Sequence, residues 1–347
     1  MQRAIALAVL TFAQLQWVMA LTATAPSPEV RLEAQSRELA EAACRAAQAR
    51  KGDCNGGLVW VEHLNIVVGD RRTAERFYFE EGLGCTRDPR KPGGATQPTG
   101  TMWANLGAQQ FHLAEEAPDD PPQAVHGSIG LAVPRALETA RRLEAQEGVA
   151  VEVHDEHRFT VTCPWGNVFH CYDVETYRAS LPVDAAAGPK MVAMHQNYDA
   201  DGRFAVRGVP GIRYVHLKCP DAKAAARAYA RVLGAFKFDD DAFAVVSAGV
   251  GPVHLVFESA SRDVVAETKM NGVHACVYVD NFAARYADLE AHIFTNPRFR
   301  HLDTCDTLEE ALASRTFRFI LPEAPFLEHE TRSLAHANFL QHIAYER

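Results

Sequence analysis

The hydrophobic and polar positions alternate in blocks that repeat along the chain. In "LVWVEHLNIVV", Leu58 to Val68, β-branched and aromatic residues dominate, and the pattern predicts a strand. The next block, "DRRTAERFYFEEGLG", brings Ala74, Phe77, Tyr78 and Leu83 toward one side at helical spacing, and Gly84 supplies a stop. A turn-rich loop, "TRDPRKPGGATQPTG", then leads into the strand candidates "TMWANLG" and "QQFHLAE". This completes one β-α-β-β-β module.

A second module reads "VHGSIGLAV" as strand, "ALETARRLEAQ" as helix and "VEVH", "RFTVTC" and "NVFHCYDV" as strands. A third opens at "GIRYVHLKC" and a fourth at "GVHACVYVD". Setting Asp70 against Asp221 also matches Ala74 with Ala225, Arg76 with Arg227 and Tyr78 with Tyr229. Setting Val133 against Val279 brings Leu143-Glu144-Ala145 onto Leu289-Glu290-Ala291. Such matching constrains the fold more than any single motif does.

The boundaries follow from what lies between modules. Residues 1–25 carry a lone Arg3, a short apolar run and small residues at Ala23 and Ala25, the pattern of a cleavable leader. This predicts the secretory pathway or export, with a plastid reached through that route as the alternative. Residues 26–57 form a helix-prone extension, 58–180 a first domain of two modules, 181–210 a linker rich in small and turn-forming residues, and 211–333 a second domain. The apolar spacing of 334–347 predicts a helical tail. Gln14 and Gln16 interrupt the leader's apolar run, so no permanent membrane span is expected after cleavage.

Composition narrows the function. Of 347 residues, 48% are hydrophobic and 23% charged, the balance of a globular protein with real cores. The net charge of −9, without a Lys/Arg block, disfavours a nucleic-acid partner and favours a small-molecule substrate or ligand. The eight cysteines lack CxxC spacing and read as buried thiols rather than a disulfide framework or a zinc site. The chain contains no phosphate loop, dinucleotide fingerprint or nucleophile elbow. "CPWGN" at Cys163 to Asn167 reads as a turn, and "FDDDAF" as a solvated turn lacking EF-hand spacing.

From Leu58 to about Glu330 the sequence resembles the vicinal oxygen chelate superfamily, which includes glyoxalase I, extradiol dioxygenases and bleomycin-resistance proteins. The resemblance rests on the His, hydrophobic strand, Asp, helix, Phe-Tyr, Leu-Gly opening and on the closing strand "PWGNVFH". It implies an α+β fold of four modules in two pairs, each pair an incomplete barrel around one divalent metal, with ligands on the first and last strands of modules.

Carried over residue by residue, the resemblance places His63, His112, Ser128 and His170 in the first pair, and Tyr214, His254, His274 and Glu328 in the second. His126 and His216 lie two residues from Ser128 and Tyr214, on the same strand faces, and either can take the neighbouring role. Imidazole with carboxylate suits Fe, Mn, Ni or Zn, and two histidines with one carboxylate leave coordination positions for substrate. On that ground His254, His274 and Glu328 are the favoured set, with Tyr214 or His216 as fourth ligand or acid/base. An extradiol version uses His216, His274 and Glu328, whereas a glyoxalase version also needs His254. The expected function is a metal-dependent enzyme of glyoxalase or dioxygenase type; the alternative is a metal-free protein that binds a small molecule or a protein partner.

Overall fold

The structure is a computed structural model describing residues 58–79, 81–88, 100–106, 109–115, 121–174, 190–193, 211–233, 236–239, 243–247, 253–261, 273–279, 281–325, 327–333 and 343–346. The leader, the extension and most of the linker and tail expected from sequence lie outside these residues. Among the described residues no helix is long and apolar enough to cross a membrane.

Module 1 comprises β1 (Leu58–Val68), α1 (Arg71–Tyr78), β2 (Thr86–Arg87), β3 (Met102–Leu106) and β4 (Gln109–Glu115). Module 2 comprises β5 (Gly127–Val133), α2 (Ala136–Glu144), β6 (Ala150–Asp155), β7 (Arg158–Thr162) and β8 (Val168–Asp173). After β9 (Lys190–Ala193), module 3 runs through β10 (Ile212–Cys219), α3 (Ala222–Val232), β11 (Phe236–Asp239), β12 (Phe243–Ser247) and β13 (His254–Ser259). Module 4 has β14 (His274–Val279), α4 (Phe282–Leu289), α5 (Leu308–Ser314), β15 (Thr316–Phe319) and β16 (Glu328–Ser333). Its insertion around α5 replaces one strand, whose place is marked by a single bridge between Ile293 and Phe319. In the expected helical tail, β17 (Ile343–Glu346) instead pairs with β9, because Ile343 and Tyr345 suit a strand and β9 offers a backbone partner.

The helix starts show how sequence sets local structure. Asp70 accepts a hydrogen bond from the Thr73 amide at 3.0 Å, and Asp221 from the Ala224 amide at 2.8 Å. Each thereby satisfies one of the unpaired donors at a helix N-terminus. The even-numbered modules use a different entry, with left-handed Arg135 (φ 51°) and Asn281 (φ 52°) before α2 and α4. The "CPWGN" stretch is a turn closed by the Gly166 amide on the Cys163 carbonyl, with Gly166 itself at φ +86°.

Two open mixed sheets result. One has the order β15-β16-β14-β1-β4-β3-β2 and the other β11-β12-β13-β10-β5-β8-β7-β6. Antiparallel contact between opening strands joins module 1 to module 4 through β1 and β14, and module 3 to module 2 through β10 and β5. Sequence order had grouped neighbouring modules instead. Neighbours do share helix-side packing: Phe77 of α1 meets Phe169 of β8 with ring centroids 5.7 Å apart, and Arg285 of α4 donates to the Val232 carbonyl at 3.0 Å.

Strand alternation divides each sheet into two faces. In the seven-stranded sheet Leu64, Ile66, Phe111, Leu113, Ala275 and Val277 belong to the hydrophobic core. Their neighbours His63, Gln110, His274, Cys276, Glu328 and Glu330 are buried too. Burying such polar groups is costly unless they find partners, so their arrangement points to a site.

Candidate metal centre

The site begins with an irregularity in β1. Val61 pairs with Val277 and His63 with Cys276, so two steps on β1 match one on β14 and Glu62 is the extra residue. A bulge of this kind re-aims side chains, and here both Glu62 and His63 are buried. Glu62 Oε2 lies 3.0 Å from His63 Nδ1. Burial opposes ionisation of Glu62, but the His63 hydrogen bond and the positive charge of Arg332 hold its carboxyl far below the usual range. Burial also pushes the His63 imidazole down, toward the neutral form. With Nδ1 donating to Glu62, Nε2 carries the lone pair, and this buried atom has no hydrogen-bond partner.

His274 opens β14 and Glu330 lies in β16. Together with His63 they offer ligand atoms all within 4.8 Å of one another, and all three residues are buried. A second such group, Glu62, His63 and Cys276, shares His63. Glu330 Oε2 is 3.2 Å from His274 Nε2 and accepts from Arg318 Nη2 at 3.0 Å, while Oε1 accepts from Arg332 Nε at 2.6 Å. Burial would raise the Glu330 carboxyl; Arg332, His274 and Arg318 more than reverse this and hold it well below the usual range. Arg318 also reaches Asp303 and, at 2.9 Å, Glu328 Oε1. A cavity of about 530 Å³ opens beside His112, His274 and Glu330, within the usual size range of small-molecule sites.

No family model and no curated protein matches the sequence. Comparison with solved structures does find similar folds. A candidate dioxygenase from Bacillus subtilis superposes with a TM-score of 0.50 at 12% identity, over 80% of this chain and 86% of that one. Glyoxalase I from Zea mays gives 0.46 at 12% identity, over 79% and 92%. The chain has the vicinal oxygen chelate fold. Identity at this level speaks for the fold, and the chemistry has to be read from the residues.

Within this fold the sequence candidates divide between the two sheets, with Ser128 in β5 of the eight-stranded one and His126 just ahead of that strand. His63, His112, His274 and Glu328 lie in the seven-stranded sheet; His170, Tyr214, His216 and His254 lie in the other. The favoured set of His254, His274 and Glu328 is therefore split, because His254 is in β13 and His274 in β14, strands of different sheets. The same separation divides His216 from His274. Glu328 sits opposite His274 in register and its oxygens meet Arg318 and, at 2.6 Å, Asn296 Nδ2, but it does not join the group whose ligand atoms gather within 4.8 Å. His112 stacks on His63 with centroids 3.6 Å apart and planes 21° from parallel, and its Nε2 meets Gln110 Oε1 at 3.1 Å. Nearly parallel rings stacked in this way cannot aim their in-plane lone pairs at one ion, so His112 is a wall of the site in this arrangement.

The eight-stranded sheet holds a different chemistry. Ser128 Oγ is 3.1 Å from His216 Nδ1, and His216 Nε2 is 2.9 Å from Glu258 Oε2. Tyr214 meets the Tyr172 hydroxyl at 3.3 Å, and burial pushes its phenol well up. His170 Nδ1 lies 3.0 Å from Thr160 Oγ1. Sequence reasoning missed Glu62, Glu258, Arg318 and Glu330. For Glu330 a signal existed: it lies two residues beyond Glu328 on a strand, the same relation that had flagged His126 and His216.

Proposed function

We propose that the chain is a metal-dependent enzyme of the glyoxalase and dioxygenase type, acting on a small oxygenated substrate. His63, His274 and Glu330 would hold one divalent ion, Fe, Mn, Ni or Zn. The observation that carries this reading is the buried, unpartnered Nε2 of His63 in a set of two histidines and a carboxylate. That donor set suits those metals and leaves coordination positions for substrate. When bound, such an ion acts as a Lewis acid toward neighbouring substrate oxygens.

The chain's own residues do the rest. Glu62 fixes the tautomer and orientation of His63, as carboxylate partners of metal-binding histidines do. Arg318 and Arg332 keep Glu330 ionised and aligned. The 3.2 Å contact between His274 Nε2 and Glu330 Oε2 would bring both groups to the same ion.

Metal content of untagged protein, measured by mass spectrometry, tests the proposal. About one ion per chain is expected, lost in His63→Ala and Glu330→Ala and kept in His254→Ala and His216→Ala. If wild-type protein neither carries nor takes up any of the four metals, the enzyme reading falls. One observation favours a second reading in that event: the two arginines already satisfy both oxygens of Glu330, as a metal-free ligand-binding cup requires.

A further inference from the structure

One thiol in this fold is placed unlike the other described cysteines. Cys85, Cys163, Cys171, Cys219 and Cys305 belong to the hydrophobic core, the usual place of a buried free cysteine. Cys276 is as buried as they are but lies outside that core. Its strand neighbours Ala275 and Val277 point into the core, so alternation turns Cys276 to the opposite, polar face of the seven-stranded sheet. Register gives its place there: on β14 it pairs with His63 of β1 on one side and with Glu330 of β16 on the other. Its Sγ is 4.0 Å from Glu330 Oε1, at the long limit of a weak sulfur hydrogen bond.

The residues around this thiol form a donor set of their own. Glu62, His63 and Cys276 bring ligand atoms within 4.8 Å of one another, and Glu62 joins them only because the bulge in β1 turns it inward with His63. His63 contributes a buried Nε2 with no hydrogen-bond partner and an Nδ1 that lies 3.0 Å from Glu62 Oε2. Thiolate and carboxylate together carry two negative charges, so a divalent ion held by them and a neutral imidazole leaves no net charge. That is the condition under which ionised groups are tolerated in a buried site. Thiolate is also a soft donor, and it favours softer ions than an imidazole and carboxylate set does. His274 and Glu330 line the cavity, whereas Glu62, His63 and Cys276 do not.

We propose that Glu62, His63 and Cys276 form a second, closed metal site for a soft divalent ion of the cadmium class. It shares only His63 with the open set of His63, His274 and Glu330, and it is shut off from the cavity that the open set faces. The ion takes the place of the thiol proton, since thiolate rather than thiol is the ligand.

Ultraviolet difference absorption tests this on the full, untagged chain, freed of metal, reduced without added thiol and titrated with Cd(II). Sulfur ligation gives a charge-transfer band that nitrogen and oxygen ligands do not. Wild type should show the band, Cys276→Ser and Cys276→Ala should lose it, and Glu62→Gln should need more Cd(II) to reach half its height. His274→Ala should keep it, because His274 belongs to the open set alone. Far-UV spectra and heat unfolding establish that each variant is folded, and the cadmium NMR resonance of wild type reads sulfur ligation without any substitution. No band in wild type, a band that survives in both Cys276 variants, or a band lost in folded His274→Ala overturns the inference. Mn content of the same proteins separates the two sites. A Cd(II) band in protein that takes up no Mn upholds the closed site although the open set has failed, and Mn uptake without the band does the reverse.

Discussion

His329 offers a measurement of what burying an imidazole costs this fold. It is fully buried in β16, its Nε2 is 3.1 Å from the Tyr229 hydroxyl of α3, and its ring stacks on Phe319 at 4.6 Å. Burial, against a weaker opposing backbone hydrogen bond at Leu327, lowers its pKa from 6.5 to about 3. The unfolded chain therefore binds a proton that the folded chain refuses. This stability is fully present above about pH 6.5 and is lost progressively as pH falls toward about 3. At about pH 5 the unfolded state has gained roughly 1.5 pH units of proton binding, so at ~1.4 kcal/mol per unit the loss is about 2 kcal/mol. Urea unfolding of chelator-treated protein at about pH 8 and pH 5 should show it by comparison with His329→Gln, which keeps an acceptor for Tyr229 but cannot titrate. The variant should start less stable, by about 1–3 kcal/mol, and lose about 2 kcal/mol less than wild type over the interval. His63 and His112 stay in both proteins, so their contributions cancel. Equal losses, within about 0.5 kcal/mol, would refute the assignment of a neutral, desolvated His329.

Three further outcomes are expected. Glu62→Gln should weaken metal affinity about 10- to 100-fold in chelator competition with the far-UV spectrum unchanged; unaltered affinity would remove Glu62 from its positioning role. Arg318→Met should cost about 3–5 kcal/mol in urea unfolding near neutral pH, because three carboxylates lose a shared buried partner; a cost under about 1 kcal/mol would contradict the network. Gly130→Ala places a Cβ 2.3 Å from the Tyr214 ring and should cost about 1–3 kcal/mol with metal content unaffected, since Gly130 lies in the other sheet.

Module architecture could be read in the sequence because it rests on local rules. Asp70 and Asp221 cap helices through short-range hydrogen bonds, and the apolar spacing of Ala74, Phe77 and Tyr78 appears directly as a buried helix face. Strand partners across modules follow no such rule. Each opening strand shows the same period-two pattern, so β1 pairing with β14 rather than with β5 leaves no trace in either strand alone. The site inherits that ambiguity. His63 and His274 could be named as ligand types but not as members of one set, and alternation alone could not choose between Glu328 and Glu330. Position makes the choice: Glu330, and not Glu328, joins the His63 and His274 ligand atoms within 4.8 Å of one another. The bulge that turns Glu62 inward depends on a count of residues in the partner strand and is invisible in the sequence of β1.

The pairing of β1 with β14 has a consequence for how the protein comes into being. A ribosome that has made modules 1 to 3 has released His63 but neither His274 nor Glu330, so a chain at that stage lacks two of the three proposed ligands. On the proposed reading, ion capture would be tied to completion of the last module and would report a finished fold. The same geometry means that a cut between 194 and 210 yields two polypeptides, each holding part of every sheet. Mixed together, they would have to find each other through β1 with β14 and β5 with β10 before either could bind an ion. Regained ion binding would then serve as a direct signal of reassembly.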